Sequence, residues 1–238
     1  MKPLLRLLTV PAVFVGLAAV AHAGPVGDFE GNLRAAYADY RSALFFTNTS
    51  DPDKASSAID GFQEKWSALA NDNAGAPPQY ADDPDYAATL AAVAGIADTA
   101  AGEVAAGKLG EAHETLEAIR DQIGHLHERN GIVTFSDRMN AYHAEMERVL
   151  GSDYGTFDAE ALGRLREDAA ILAYLADDIV AHPPAGAPAD PAFVAALKPF
   201  EASVMALRQA ARSGDAAAAR KAVGGLKGPY SKLFLKFG

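Results

Sequence analysis

Two methionines and a histidine near the middle of the chain are the side chains best suited to bind a metal. Met139, His143 and Met146 follow one another at spacings of four and three residues, which places them along one face of an α-helix. They share an apolar stripe there, and Glu147 borders that stripe one turn beyond His143. Imidazole and thioether groups suit copper or the axial positions of a haem iron. We therefore predict these three residues as metal ligands, with Glu147 as a supporting hydrogen-bond acceptor.

The preceding predicted helix, residues 109–129, carries three more histidines. His113 and His127 lie along one shoulder of its apolar seam, whereas His125 points towards solvent. His125 and His127 resemble a metal-binding H-x-H pair, but on a helix their rings diverge by about 200°. We expect His113 and His127 to reach a site shared with the next helix, because the chain turns back after a few residues. The alternative is that these histidines, like the methionines, are ordinary core and shoulder residues.

Other kinds of chemistry find little support. The chain has no cysteine, which excludes disulfides, thiolate zinc sites, iron–sulfur clusters, covalently attached haem and a cysteine nucleophile. Its net charge of -10 argues against a nucleic-acid binder. It contains no G-x-S-x-G, H-E-x-x-H, phosphate-binding glycine loop or nucleotide fingerprint, and no repeated Glu-x-x-His pair typical of di-iron bundles. We therefore predict that the protein is not an enzyme.

Apolar residues recur at helical spacing along nearly all of the chain beyond residue 23, and alternating runs of β-branched residues are missing. This pattern predicts an all-α protein. The predicted helices cover residues 27–47, 52–71, 84–106, 109–129, 134–150, 158–181, 191–212 and 215–236. Thr134 and Asp137 resemble a capping box. Three helix starts place an aspartate directly before a helix-compatible proline: Asp51-Pro52, Asp83-Pro84 and Asp190-Pro191.

The second and fourth quarters of the chain resemble each other. Residues 83–131 align without a gap on residues 190–238, and the alignment pairs Gly107 with Gly214. Chance similarity between two amphipathic hairpins is the alternative to a real repeat. We predict an internal duplication that yields two tandem four-helix up-and-down units, residues 24–131 and 132–238, either side by side or merged into one longer bundle.

The first 23 residues have the features of a secretory signal peptide. Lys2 and Arg6 precede an apolar run, and Ala21-His22-Ala23 forms a small-x-small cleavage site. An uncleaved anchor is the alternative, but the apolar run is short for a bilayer span. We expect cleavage after Ala23 and a mature protein in the bacterial periplasm or outside the cell, with no transmembrane segment.

Charge is distributed unevenly along the expected mature chain. Residues 190–238 carry eight basic and three acidic side chains, whereas residues 24–189 carry 11 basic and 28 acidic ones. The basic C-terminal hairpin therefore either packs beside acidic helices of its own chain or offers a face to an anionic ligand, lipid headgroup or acidic partner.

These patterns predict a periplasmic helical-bundle protein that binds a transition metal, copper first and iron or haem next, for storage, delivery or tolerance. An exported bundle with inward methionine and histidine also resembles the b-type cytochrome bundle. That resemblance implies non-covalent haem as an alternative ligand. The competing function is a metal-free envelope interaction module that contacts a partner through its acidic body and basic C-terminal hairpin.

Overall fold

The computed structural model describes residues 24–238, so the signal peptide predicted for residues 1–23 lies outside them. Within this range the chain forms nine α-helices and two short 3₁₀ helices, Pro78–Tyr80 and Ala187–Ala189, with no β-strand. The all-α prediction is confirmed. The helices are α1 (Pro25–Asn48), α2 (Pro52–Asp72), α3 (Tyr86–Ala105), α4 (Leu109–Arg129), α5 (Phe135–Gly151), α6 (Ala159–Ala181), α7 (Pro191–Ser213), α8 (Ala216–Gly224) and α9 (Lys227–Phe237).

Side-chain caps begin several of these helices where the sequence predicts them. Asp51 caps α2 and Asp190 caps α7, each by accepting a hydrogen bond from a backbone N–H of the first turn. The capping box of Thr134 and Asp137 is present at the start of α5. These caps satisfy N–H groups that have no partner inside the helix.

Two elements differ from the sequence prediction. α3 begins at Tyr86 rather than at residue 84, and Asp83 instead accepts hydrogen bonds at 3.0 Å from Arg129 and 2.8 Å from Asn130, at the end of α4. The last predicted helix is divided into α8 and α9. The division follows from low helix propensity at Gly224-Gly225 and from Pro229, which lacks the N–H needed to continue the hydrogen-bond ladder.

The helices pack as two closed sets. α1 to α4 pack in chain order and α4 returns against α1, whereas α5, α6 and α7 pack in order and α9 closes against α5 and α7. α9 also packs on α1, and the buried side chains of both sets belong to one continuous hydrophobic core. Gly107 and Gly214, which the sequence alignment pairs, both adopt a positive φ at the turn between two helices. The origin of the two sets by duplication stays a prediction.

One helix among residues 24–238, α3, is long and apolar enough by composition to cross a membrane. Its apolar character comes largely from alanine. Tyr86, Leu90, Val93 and Ala97 are buried, and the helix packs against α2 and α4. These contacts are those of a helix that contributes to the shared core.

Candidate functional site

Two cavities lie where the two helix sets meet. The first, called the His127 cavity, measures about 440 Å³ and is lined by α1, α4, the start of α5, the loop between α6 and α7, and the end of α9. The second, called the His143 cavity, measures about 550 Å³ and is lined by α1, α4, α5 and α9. Four of the six predicted site residues line these cavities: His127 lines the first, and His113, His143 and Glu147 line the second.

The His127 cavity contains a buried imidazole between two carboxylates. His127 is only 3% exposed, and its Nδ1 atom lies 2.8 Å and 3.0 Å from the two carboxylate oxygens of Asp137. Its Nε2 atom is buried without a hydrogen-bond partner in the described part of the chain, and lies 3.8 Å from Oε2 of Glu30. One ring nitrogen is therefore held in place while the other has no hydrogen-bond partner.

Asp137 orients this imidazole. Its Oδ2 atom also accepts hydrogen bonds from the backbone N–H and the hydroxyl of Thr134, each at 2.7 Å. Burial raises the pKa of Asp137, but the hydrogen bonds from His127 and Thr134 outweigh burial and lower it. An ionised Asp137 places a proton on Nδ1 of His127, so that in the neutral ring the lone pair of Nε2 faces Glu30.

Glu30, on the first turns of α1, is held in a similar way. Its Oε1 atom accepts hydrogen bonds at 2.8 Å from the hydroxyl of Tyr80 and at 3.1 Å from the side-chain amide of Gln79. Burial, together with the charge of Glu30, raises the pKa of Tyr80, so this hydroxyl stays a donor. These contacts direct the Oε2 atom of Glu30 towards His127.

His143 lies in the other cavity, on the flank of α5. Its Nδ1 atom is 3.1 Å from Nη1 of Arg120, and its ring stacks on Tyr230 with a centroid distance of 5.4 Å. Burial lowers the pKa of His143 to about 4, and the charge of Arg120 contributes to that shift. The neutral Nδ1 therefore accepts a hydrogen bond from Arg120, so a guanidinium occupies the position that a metal ion would need at this nitrogen, while Nε2 lies 3.6 Å from Oε1 of Glu147.

The other predicted ligands of this cavity also have protein partners. The Nδ1 atom of His113 lies 3.0 Å from the hydroxyl of Thr47, and Glu147 forms an ion pair with Lys227 at 3.2 Å. The cavity thus brings His113, His143 and Glu147 together, but its lining includes three cationic side chains. Those cations are Arg41, Arg120 and Lys227. Two carboxylates, Glu117 and Glu147, also line this cavity, so cations exceed anions by one, which is unfavourable for a metal cation.

Met139 and Met146 lie fully buried in the core, and neither lines the larger cavities of residues 24–238. The buried stripe of α5 is centred between Tyr142 and Met146, which leaves His143 about 80° away on the flank. The predicted Met–His ligand set therefore has no common cavity. In place of a sulfur-containing centre, the structure offers the imidazole–carboxylate pair of the His127 cavity.

No three His, Asp or Glu side chains within residues 24–238 converge as a metal-binding group. The pair of His127 and Glu30 could contribute two ligand atoms, and both residues line the His127 cavity. Sequence reasoning missed Glu30, Tyr80 and Gln79, because they lie on elements far from α4 and form no local motif. No signal in the sequence distinguishes Glu30 from its polar neighbours Asp28, Asn32 and Arg34 near the start of α1.

Acidic conditions should destabilise the fold through His143. Its pKa is near 6.5 in the unfolded chain and about 4 in the folded one, so the unfolded state binds the proton more readily. The contribution of the neutral His143 to the free energy of unfolding is fully present above pH 6.5. It is lost as the pH falls towards 4, by at most about 1.4 kcal/mol per pH unit. Urea unfolding at several pH values measures this slope. His143→Gln should remove it, and an unchanged slope in that variant would contradict the assignment.

Comparisons of the chain with protein-family models, with curated proteins and with solved structures found no match. A function for this protein is therefore inferred from the geometry of the two cavities.

Proposed function

We propose that this protein binds a divalent transition metal, copper(II) first, between Nε2 of His127 and Oε2 of Glu30. The observation that supports the proposal is the buried Nε2 atom without a hydrogen-bond partner, 3.8 Å from a carboxylate oxygen. Leaving a buried polar atom unpaired costs free energy, and a metal ion would supply the missing interaction. Two bonds of about 2.0–2.2 Å are long enough to span that distance.

The carboxylates around this pair favour a dication, although two arginines also line the cavity, Arg34 and Arg138, of which Arg138 is paired with Asp178 at 2.9 Å. Glu30 and Asp137 bring two carboxylates to one imidazole. Histidines that bind metals usually donate their other ring N–H to a carboxylate, which fixes the tautomer and increases the basicity of the ligand nitrogen. Asp137 makes that contact with His127, and Tyr80 and Gln79 orient Glu30 by hydrogen bonds. Both ligand atoms are therefore positioned before a metal binds.

The chemistry of the donors supports copper(II) before iron(II). A nitrogen and oxygen site binds copper(II) most tightly among the divalent first-row metals, and the absence of cysteine removes the softest ligands. Haem is less favoured, because Met139 and Met146 lie in the core away from the larger cavities. Coordination positions that open to a cavity of about 440 Å³ allow the metal to exchange. Such a site suits storage, delivery or tolerance rather than a structural role.

Titration of the protein with copper(II), followed by electron paramagnetic resonance, tests this proposal. We expect one tightly bound equivalent whose spectrum shows coupling to a single imidazole nitrogen. His125 is the matched control, because it is exposed on the same helix and lies two residues from His127. His125→Ala should give the same stoichiometry and spectrum. Absence of stoichiometric uptake, or coupling to several nitrogens that is lost in His125→Ala, would argue against the site.

The second candidate function is the metal-free envelope interaction module. It is favoured by the outer faces of α6 and α7, where four large apolar side chains are exposed: Ile171, Tyr174, Val194 and Met205. Large apolar residues exposed on neighbouring helices can contribute to a contact surface. A protein that takes up no copper, and whose melting temperature does not change with metal, would favour this module.

The proposal also includes export and internal duplication. Cleavage after Ala23 would release a mature chain that begins at Gly24, which N-terminal sequencing of the periplasmic protein would detect. The two closed helix sets and the paired turn glycines support an origin by duplication.

A further inference from the structure

Three arginines meet at the surface between α6 and α7. Arg166 from α6 and Arg208 and Arg212 from α7 line one shallow depression, and the small side chains of Ala169 and Ala170 form the rest of its lining. The depression itself measures only about 20 Å³, so a bound group would lie at its mouth, against the guanidinium groups. This depression is called the arginine cluster and is separate from both cavities described above.

The positive charge of the arginine cluster is not neutralised by ion pairs. None of its three guanidinium groups forms one with a carboxylate of residues 24–238. Asp168 of α6 accepts hydrogen bonds from Arg148 and Tyr154 instead. Three neighbouring like charges repel one another, and a bound anion would relieve that repulsion.

One member of the cluster is already oriented. The Nε–H of Arg166 donates a hydrogen bond at 2.8 Å to the backbone carbonyl of Ala211, on the helix that carries Arg208 and Arg212. This bond fixes the guanidinium plane, while both terminal nitrogens of Arg166 have no hydrogen-bond partner within the described residues. A guanidinium held in this way presents two parallel donors to an oxyanion.

From these contacts we infer that the arginine cluster binds a phosphate group. A carboxylate is satisfied by one guanidinium, whereas a phosphate dianion has enough oxygens and charge for several. The phosphate group would come either from free phosphate or from a phospholipid headgroup. Met205, which is exposed one turn from Arg208, supports the phospholipid headgroup. Sites at a membrane surface combine basic and apolar side chains in this way.

Nitrogen-15 NMR of the arginine Nε–Hε groups, with inorganic phosphate added at constant ionic strength, tests the inference. We expect saturable shifts of the three cluster signals. The double variant Arg208→Gln/Arg212→Gln should bind phosphate at least about tenfold more weakly. The control Lys54→Gln/Arg164→Gln removes the same charge from exposed residues elsewhere and should leave binding unchanged. Equal affinity in the two double variants would overturn the inference.

Flotation with vesicles identifies the source of the phosphate group. Vesicles of phosphatidylcholine with and without phosphatidylglycerol are compared for the unaltered chain and the two double variants. If the unaltered chain floats with the anionic vesicles but not with the neutral ones, and Arg208→Gln/Arg212→Gln does not float, the ligand of the site is a lipid headgroup. If the NMR signals shift but the chain does not float, the ligand of the site is a free phosphate group. The absence of both the NMR shifts and flotation would refute the inference. Far-UV circular dichroism confirms that the variants, which change mainly exposed side chains, stay folded.

Discussion

His127→Ala should lose at least about a hundredfold in copper(II) affinity, because it removes the nitrogen that we propose as a ligand. Calorimetric titration measures the loss. The matched control is His125→Ala, which removes an exposed imidazole from the same helix and should keep the affinity of the unaltered protein. Copper binding that survives His127→Ala but not His125→Ala would disprove the site.

Asp137→Asn separates the supporting role of that carboxylate from the role of a ligand. The amide keeps the shape of Asp137 but no longer fixes the tautomer of His127 by charge, so we expect a loss of about 10–100-fold rather than abolition. The same substitution weakens the capping box of α5 and the contact with Thr134. Thermal unfolding without metal measures that contribution separately. An affinity equal to that of the unaltered protein would show that Asp137 does not orient the ligand.

Trp66→Ala should produce the largest loss of stability in the first helix set, about 3–5 kcal/mol. Trp66 is 1% exposed, stacks on Phe62 with a centroid distance of 5.5 Å, and donates its indole N–H at 3.0 Å to the carbonyl of Leu90. The substitution removes an aromatic ring between α2 and α3 and leaves a cavity. Urea unfolding followed by far-UV circular dichroism measures the loss, since Trp66 is the only tryptophan of the chain.

Trp66→Phe is the graded control for this substitution. It keeps most of the ring and the stacking on Phe62 and removes the hydrogen bond to Leu90. We expect a cost of about 1–2 kcal/mol. If the alanine and phenylalanine variants were equally stable, the ring would contribute little to packing and the assignment of Trp66 to the core would be wrong.

The elements of the fold were largely predictable because their signals are local. Helical spacing of apolar residues, the aspartates before prolines and the box of Thr134 and Asp137 each depend on residues within a turn or two. The divided C-terminal helix shows the limit of this reasoning. The periodicity continues through residues 215–236, whereas Gly224-Gly225 and Pro229 interrupt the backbone hydrogen bonds between α8 and α9.

The candidate site was predicted only in part. The helical wheel places His125 in solvent and His127 on the shoulder of the apolar seam; in the structure His125 is exposed and His127 is buried. The same reasoning groups His143 with two methionines, but in the structure its ring lies in a cavity beside Arg120. A wheel gives the direction of a side chain about its own helix, and it contains no information about the residue of another helix that it meets.

The sequence by itself determined that the chain beyond residue 23 is helical, where most helices begin, and which faces they bury. Those properties follow from interactions between residues close together in the chain. The tertiary structure decided that His127 of α4 meets Glu30 of α1 and that Arg120 meets His143 of α5. Such pairs depend on how helices rotate and slide against one another as the shared core packs, and no local spacing encodes that arrangement.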